Sequence, residues 1–455
     1  MTSGKAFFYH DKAFYRSFFS LFIVVALQNI ISYSVNMADN TMLGSYRQEA
    51  LSGAAVVNQV FFLIQQLSIA IGDGLIVLSS QYWGKKQTAP IRRIAGMVLK
   101  MVLGVDIGIL IVCTVLERPL LRIFTRDEVI LAEAVRYLRV VKYSFVFFVM
   151  TQAMLALLRS VETVRIAAWL ALLSLVVNVC INSTLIPGRF GLPELGVAGA
   201  AVGTVVSRCL EFLIVLFYLA RRDKKLRLFA DREFLRTDPL LRSDYFRVAL
   251  PILTAGMLWA VSVPMQTAIL GHLSSDAIAA NSVATTFYQY LKVLVTALAS
   301  SSSVTIGKML GRGNLDHVKA AGRSLSVIDL CVGLCLGAVL FLTKDLLLSR
   351  YALNETATAL ASQLIAIMAF VMVGMSYQMP VGSGIIRGSG DARFSLYVNM
   401  ISTWGIVIPL SLAAAFLWKW PVPAVAICLQ SDQIFKCIPI FLRFRSYKWI
   451  HRLTR

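Results

Sequence analysis

A single acidic residue, Asp39, lies near the end of the first long apolar stretch of this 455-residue chain, within the segment Val35 to Gly44. Asn36 precedes it by three residues, so on a helix the two side chains lie on the same face. A charge in the middle of a bilayer costs roughly 2.5–3.5 kcal/mol on insertion scales, so a carboxylate there needs a reason. Among amides in a low dielectric it resists ionisation and can take up and release a proton. A structural or water-exposed Asp near the outer surface is the alternative interpretation.

Two amide residues stand at helical spacing in the fifth apolar stretch. Asn178 and Asn182 are four residues apart in the segment Leu175 to Leu185, which places them on one helix face. They supply hydrogen-bond donors and acceptors but no second charge. The sequence therefore offers amide neighbours for a lone carboxylate and no carboxylate pair.

Other charges within apolar stretches have partners close in sequence. Arg208 and Glu211 are i, i+3 neighbours, and Asp432 and Lys436 are i, i+4 neighbours, so each pair can neutralise itself. We interpret both as structural ion pairs, although Asp432 could also face a cavity. Three further aspartates have no sequence-local partner, and the sequence does not rank them: Asp73, Asp106 and Asp329.

Motifs for ATP use or for metal chemistry are absent from the sequence. No G-x-x-x-x-G-K-[ST] phosphate loop and no H-E-x-x-H or cysteine-rich metal spacing occurs, and the four histidines lie in termini or loops. We therefore expect no enzyme activity, no cofactor and no metal site. Because motifs for ATP use are absent, coupling to an ion gradient is the energy source that we expect for transport.

Composition indicates a membrane protein. Hydrophobic residues make up 58% of the chain, charged residues only 15%, and the mean hydropathy is +0.72. Twelve apolar stretches are long enough to cross a bilayer. Their predicted bounds are 14–38, 51–80, 92–116, 128–157, 163–187, 195–220, 244–270, 277–309, 317–343, 354–386, 392–418 and 421–443.

The two halves of the chain repeat each other at a constant shift in sequence. Met42-Leu43-Gly44 falls on Ile269-Leu270-Gly271, and in the same register Gly84-Lys85 falls on Gly311-Arg312. Six spans in each half is an even number, so both halves enter from the same side and form parallel repeats. We predict an all-α polytopic membrane protein with two pseudo-symmetric six-helix lobes, 1–220 and 244–455, joined by a charged linker at 221–243.

The net charge of +20 is distributed asymmetrically. If the N-terminus is cytoplasmic, inner segments hold 29 of the 44 Lys and Arg residues and outer loops hold only 8. This positive-inside bias predicts cytoplasmic termini in a cell membrane. Anionic lipid headgroups account for the excess charge, so we expect membrane lipids and no nucleic acid as partners.

Several motifs, in order, resemble the multidrug and toxic compound extrusion (MATE) family. Asn36 to Gly44 followed by Glu49-Ala50-Leu51 is similar to its first-span signature, and Arg387 to Arg393 (RGSGDAR) resembles its R-G-x-G-D-t-R loop. Gly196 to Thr204 (GVAGAAVGT) and Leu250-Pro251-Ile252 resemble its sixth span and the opening of its seventh. The resemblance covers roughly residues 15 to 450.

The resemblance implies a V-shaped pair of lobes that exports amphipathic, often cationic, compounds in exchange for H⁺ or Na⁺. By position it implies a cation-coupling site at Asp39, Asn178 and Asn182, with Asn36 beside it. Many relatives carry an Asp where Asn182 stands, so this site has one carboxylate fewer. The acids that some sodium-coupled members use would fall near Trp259 and Ser376, which favours H⁺ over Na⁺.

Substrate identity is largely hidden in the sequence. Polar residues expected to face a central cavity are Gln59, Gln65, Gln66, Tyr288 and Gln289. We expect a monomer that binds a small-molecule substrate. A flippase or exporter of a lipid-linked or specific metabolite is the alternative, and it would need a large cationic cavity that grips diphosphate.

The charge asymmetry leads to a test of topology. Single cysteines at Ser243 and Ser275, in a cysteine-free background, should differ in their reactivity in whole cells. We expect a membrane-impermeant maleimide to label Ser275→Cys from outside and to leave Ser243→Cys unlabelled until the cells are permeabilised. The reverse pattern would contradict both the orientation and the parallel repeats.

Overall fold

Twelve long helices account for most of the chain in the computed structural model, which describes residues 8–236, 238–273, 275–349 and 354–454. We label them α1 to α12: Lys12–Tyr46, Gln48–Gly84, Thr88–Val115, Glu128–Ser160, Arg165–Leu185, Val197–Arg222, Pro239–Leu270, Asp276–Arg312, Leu315–Leu348, Glu355–Ile386, Ala392–Leu417 and Val422–Arg445. No β-strand occurs among those residues. Each helix is long and apolar enough to span a bilayer, which confirms the all-α polytopic fold.

Shorter elements connect or interrupt these helices. A six-residue helix, Glu117–Arg122, precedes α4, and two 3₁₀ turns lie at Arg189–Gly191 and Arg232–Leu235. Wider, π-type turns occur within α6, α10 and α11: Tyr218–Arg222, Pro380–Ile386, Ile401–Val407 and Ala413–Leu417. The turn in α10 begins at Pro380, whose missing N–H interrupts the regular i→i−4 ladder.

The internal repeat of the sequence is reproduced helix by helix. α1 begins at Lys12 and α7 at Pro239, and this separation is the shift that relates Gly84 to Gly311 in the sequence. The same separation relates the first residues of α3 and α9, of α4 and α10, and of α5 and α11. In four of the six helix pairs the first residues therefore occupy equivalent positions of the two repeats.

The first helix, α1, extends further than hydropathy alone predicts. The first apolar stretch was expected to end at residue 38, whereas α1 continues to Tyr46. Polar residues such as Asp39 and Asn40 lower the hydropathy without breaking the helix, because their backbone N–H groups keep the regular ladder. Asp39 consequently lies within a helix, about two turns before its end.

Two compact units can be distinguished within the structure. The N-terminal unit comprises Leu27–Ser79 and Gln87–Phe246, and the C-terminal unit comprises the described residues up to Ala26, Ser80–Lys86 and the chain from Arg247 onward. The start of α1 and the end of α2 thus belong to the C-terminal unit, whereas the rest of these two helices belongs to the N-terminal unit. The division into 1–220, 221–243 and 244–455 stays a prediction.

Lipid-facing surfaces are readable from exposed apolar side chains. On α3, Leu103, Ile107 and Ile111 are each about half exposed at successive i, i+4 positions. The opposite face of the same helix is buried and includes Ile91, Ile94 and Val98. An apolar face that is exposed outside a folded unit is the pattern expected of a helix against hydrocarbon.

Residues of the charged linker pack along α3. Arg92 donates to the carbonyl oxygen of Leu226 at 2.7 Å, and Lys100 donates to that of Leu235 at 2.9 Å. Arg93 Nε donates to Glu233 Oε2 at 2.5 Å, and this hydrogen bond holds the pKa of the Glu233 carboxyl below its usual range. These contacts tie the linker to the N-terminal unit along most of its length.

The core of the C-terminal unit includes aromatic residues from both ends of the chain. Phe14 and Phe18 of α1 pack in one cluster with Phe444 and Trp449. The Phe444 and Trp449 rings stack with centroids 5.7 Å apart, and Trp449 Nε1 donates to the Phe444 carbonyl oxygen at 2.9 Å. The first turns of α1 are thereby fixed against the end of the chain.

Two glycines at equivalent positions of the repeat contact each other within the C-terminal unit. A Cβ atom at Gly311 would lie 1.9 Å from the Gln81 carbonyl oxygen and 3.0 Å from the Cα of Gly84. A Cβ atom at Gly84 would lie 2.1 Å from the Lys308 carbonyl oxygen. The last turns of α2 and α8 therefore pack backbone to backbone, which only glycine permits here.

This contact predicts the effect of a single methyl group. Gly311→Ala forces a backbone shift, so we expect it to destabilise the protein by about 1–3 kcal/mol. Gly256→Ala is the matched control, because no atom lies within 4 Å of its Cβ position and alanine favours the helix. Thermal unfolding followed by size-exclusion chromatography measures both. Equal stability of the two variants would contradict the contact.

Candidate functional site

Asp39 is brought next to the two amides of α5 within the N-terminal unit. α1 carries Asp39, and α5 carries Asn178 and Asn182 one turn apart, both with no exposed surface. Asn182 Nδ2 donates to Asp39 Oδ1 at 2.6 Å. It also donates to Asn178 Oδ1 at 3.2 Å. The carboxylate and the two amides that the sequence singled out thus form one hydrogen-bonded group.

The Asn182 side chain also packs closely against α6. A Cβ atom at Gly203 would lie 2.1 Å from Asn182 Oδ1, so this amide oxygen packs directly against the glycine. The amide nitrogen faces Asp39, because the carboxylate accepts its N–H. Gly203 belongs to the GVAGAAVGT segment, which explains why a small residue is needed at this point of α6.

A small cavity surrounds the Asp39 carboxylate. Its volume is about 30 Å³, enough for about two water molecules. Residues from α1, α2, α4, α5 and α6 line it: Val35, Asn36, Asp39, Asn40, Leu43, Ala54, Val57, Asn58, Phe61, Tyr137, Val141, Ser144, Phe145, Asn178, Thr204, Ser207 and Arg208. The site is the size of a hydrated proton, well below that of a drug-like molecule.

Asn36 lines the same cavity, but it is exposed whereas Asn178 and Asn182 are buried. Its side chain is exposed and contributes to the lining. The hydrogen bond found for Asp39 comes from Asn182 instead. Asn36 is therefore placed to meet solvent that enters the cavity.

Arg208 is the cation nearest to this carboxylate among the residues that line the cavity. Its guanidinium donates to Glu211 Oε2 at 2.9 Å and lies 4.9 Å from the centroid of the Phe148 ring. It also attracts the Asp39 anion. The ion pair expected from the i, i+3 spacing is formed, and one member of it reaches the cavity.

Sequence reasoning missed the cavity residues of α4. Tyr137 and Ser144 line the cavity without forming a recognisable motif. Tyr137 and Ser144 are separated by about two helical turns on α4 and hence share one face. That spacing is the one signal that could have found them.

The residues expected to face a central cavity are divided between the two units. Gln59 is exposed, and Gln65 and Gln66 are half-buried on α2 in the N-terminal unit. On α8 in the C-terminal unit, Gln289 is half-buried, whereas Tyr288 is buried and its hydroxyl donates to Met375 Sδ at 2.8 Å. None of the five lines the cavity around Asp39. Their role in substrate binding stays a prediction.

The second predicted ion pair is formed in the C-terminal unit. Lys436 Nζ lies 2.7 Å from Asp432 Oδ2, and both side chains are buried. Two other buried aspartates, Asp106 on α3 and Asp329 on α9, have no hydrogen-bond partner for either carboxylate oxygen among the described residues. Neither of these two lines the cavity around Asp39.

Comparison with known proteins places this geometry in a family. A sequence model of the MatE family matches residues 25–184 and 251–413, which together exceed half of the chain. The chain belongs to the MATE family. It is therefore a multi-pass membrane transporter, not an enzyme, and the resemblance of its motifs to that family is confirmed.

Similar MATE proteins cover nearly the whole chain at low identity. The probable multidrug resistance protein YoeA of Bacillus subtilis is 23% identical over 89% of this chain and 88% of its own length. The probable multidrug resistance protein NorM of Thermotoga maritima is 25% identical over 94% of this chain and 92% of its own. The similarity of this MATE chain to both relatives therefore extends over both six-helix repeats.

Solved structures share the fold. The crystal structure of a variant of the MATE transporter VcmN from Vibrio cholerae superimposes with a TM-score of 0.87, at 17% identity, over 97% of this chain and 98% of that one. A MATE structure in the straight conformation gives the same TM-score at 18% identity over 98% of both chains. Both likenesses establish the two-lobe MATE architecture.

The packing at Gly203 generates a prediction for this MATE site. In Gly203→Ala the new methyl group would displace the end of the Asn182 side chain, which can rotate away from Asp39 while the backbone stays in place. Because a hydrogen bond to a charged group contributes about 1.5–3 kcal/mol, we expect transport to slow by roughly tenfold or more with little loss of stability.

A matched control exists on α3. Gly108→Ala adds the same methyl group to a helix of the same unit, where no atom lies within 4 Å of the Cβ position. Efflux rates of both variants in proteoliposomes, with thermal unfolding measured in parallel, compare them. Normal transport in Gly203→Ala would show that the Asn182 orientation is unimportant.

Proposed function

We propose that this MATE protein is an antiporter of the cell membrane that exports amphipathic organic compounds in exchange for protons bound at Asp39. The observation that carries the proposal is the orientation of Asn182. Its Nδ2 faces Asp39 and its oxygen packs against Gly203. The site thus presents an N–H donor to the carboxylate.

This orientation supports H⁺ over Na⁺ as the coupling ion. A sodium site needs several oxygen ligands directed at one point. Here the Asn182 oxygen is turned toward α6, and the Asn178 oxygen accepts a hydrogen bond from Asn182. A proton needs a single oxygen of Asp39, and the cavity admits the water that would deliver it.

Protonation changes the hydrogen bonding of the site. The ionised carboxylate accepts a charge-assisted hydrogen bond from Asn182, which is roughly twice as strong as a neutral one. The neutral acid accepts that bond less strongly, and its own O–H then requires an acceptor. Binding and release of a proton would therefore shift the contact between α1 and α5 between two states.

The membrane potential can supply the required energy. One charge that moves inward through 100 mV releases about 2.3 kcal/mol, which supports a substrate gradient of nearly fiftyfold if coupling is electrogenic. A monovalent cation exchanged for one proton moves no net charge and loses this electrical contribution, and export of a divalent cation for one proton would have to work against the potential. The family resemblance favours cationic substrates, and we keep this class as the expectation for the transporter.

The alternative function, a flippase for a lipid-linked metabolite, has less support from the N-terminal unit. Arg208 is the one cation among the residues that line its cavity, and it is paired with Glu211. A diphosphate group would need several cations that are free to bind it. The exporter therefore stays the first proposal.

Asp39→Asn tests the proposal. The substitution is nearly isosteric and removes the titratable proton, so we expect normal insertion and at least a tenfold loss of efflux driven by a pH gradient. Efflux of a fluorescent cationic dye from proteoliposomes is measured with a pH gradient alone and then with a sodium gradient alone. Wild-type efflux should follow the pH gradient.

Asp106→Asn is the matched control. It neutralises another buried carboxylate of the N-terminal unit that does not line the cavity. We expect it to keep most of the pH-driven efflux. Unimpaired efflux in Asp39→Asn, or wild-type transport that follows sodium and ignores the pH gradient, would refute proton coupling at this residue.

A further inference from the structure

A second charged cluster lies in the C-terminal unit, near the middle of two spanning helices. α8 carries Lys292, and α12 carries Asp432 and Lys436 one turn apart. The Lys292 ammonium interacts electrostatically with both residues of α12. It lies 4.7 Å from the centroid of the Trp259 ring on α7. Three spanning helices thus bring two lysines, one aspartate and an indole together.

Both oxygens of the Asp432 carboxylate are occupied by its own helix. Lys436 Nζ lies 2.7 Å from Oδ2, and Gln433 Nε2 donates to Oδ1 at 2.8 Å. Gln433 Oε1 in turn accepts from Gln378 Nε2 of α10 at 2.7 Å. Polar contacts therefore run from α12 to α10 and leave the carboxylate committed to Lys436.

The cluster carries one positive charge in excess. Within the described part of the chain, the contact found for the Lys292 ammonium is the face of the Trp259 ring, with no carboxylate in salt-bridge range. A cation–π contact contributes about 0.5–2 kcal/mol, whereas a lysine at the centre of a spanning helix costs roughly 2.5–3.5 kcal/mol. The aromatic contact alone does not offset this cost.

Lys292 is more exposed than the ion pair beside it. Asp432 and Lys436 are buried, whereas Lys292 and Trp259 are each partly exposed. An anion that approached this face would meet an ammonium that forms no salt bridge among the described residues, with an indole ring next to it. The indole suits an apolar or aromatic body, and the ammonium suits the anionic group that such a body carries.

We propose that Lys292 and Trp259 form an anion-binding subsite, and that a compound handled by this transporter carries a carboxylate or phosphate-type group on an apolar or aromatic body. This inference rests on the proposed export function for its physiological meaning. It departs from the cationic class that the family resemblance implies, and it also admits the headgroup of an anionic lipid. Because Asp432 is paired with Lys436, the positive charge of Lys292 is the net charge of the cluster.

Equilibrium binding of two matched probes tests the subsite. 2-Naphthoate and 2-naphthyltrimethylammonium share one aromatic body and differ in charge, and calorimetry on the full-length protein in phosphatidylcholine nanodiscs measures both, with empty nanodiscs subtracted. Because a hydrogen bond to a charged group is lost, Lys292→Met should weaken naphthoate binding by roughly tenfold or more and leave the cation unaffected. Lys292→Arg should retain naphthoate binding.

Lys344→Met is the matched control. Lys344 lies on α9 of the same unit with its ammonium 5.0 Å from the Phe341 ring centroid, but its Nζ also lies 3.2 Å from Ser362 Oγ. We expect this variant to bind both probes as the wild type does. Lys292→Met should be at least as stable as the wild type, because it removes an uncompensated charge. Unchanged naphthoate affinity in a folded Lys292→Met protein would overturn the subsite.

Nanodiscs that also contain phosphatidylglycerol identify the source of the anion. Competition by this lipid in the wild type, absent in Lys292→Met, would assign the subsite to a lipid headgroup, whereas unchanged naphthoate affinity would assign it to a soluble organic anion. All of these measurements are made without a gradient. They therefore stand even if Asp39→Asn shows that proton coupling resides elsewhere.

Discussion

Hydrocarbon offers no hydrogen-bond partner, so every polar group that enters it must be satisfied by the protein itself. The long helices of this MATE transporter follow from that constraint, since an α-helix satisfies its own backbone. The exposed apolar face of α3, with Leu103, Ile107 and Ile111, follows from it too. What remains polar inside the spans is costly, and those few residues are where function is to be sought.

Two sites inside the spanning helices, one in each unit, differ in the sign of their charge. In the N-terminal unit, Asp39 receives a hydrogen bond from Asn182 beside a cavity of water size. In the C-terminal unit, Lys292 meets an aromatic ring, while the neighbouring aspartate is already paired with Lys436. One unit is built around an anion that a proton can neutralise, and the other around a cation that needs a counter-ion. The internal repeat has therefore kept its helices and diverged in its chemistry.

The sequence was sufficient for much of the fold because bilayer thickness and helical periodicity leave little freedom. All twelve spans and the constant shift between the two repeats were predictable, and so was the i, i+4 pair Asn178 and Asn182. The end of α1 at Tyr46 was not, because polar residues such as Asp39 hide a continuing helix from a hydropathy scale. Packing of the linker against α3 was also hidden, since it depends on which loop carbonyls come within reach of Arg92 and Lys100.

The finer geometry of the site depends on tertiary contacts that no local pattern contains. Asn182 could have offered either its oxygen or its nitrogen to Asp39, and the nitrogen is chosen because an ionised carboxylate on another helix only accepts hydrogen bonds. Likewise, Lys292 and Trp259 lie on different helices, and nothing in their spacing along the chain indicates that the ammonium lies over the ring. Such contacts appear only once the helices are assembled.

The contact between Gly84 and Gly311 has a consequence for the history of the chain. These residues occupy the same position in the two repeats, so in a half-length ancestor the contact would join a residue to its own copy. Self-contact of this kind is the mark of an isologous interface about a two-fold axis. A half-length chain with this contact is therefore expected to form a symmetric dimer.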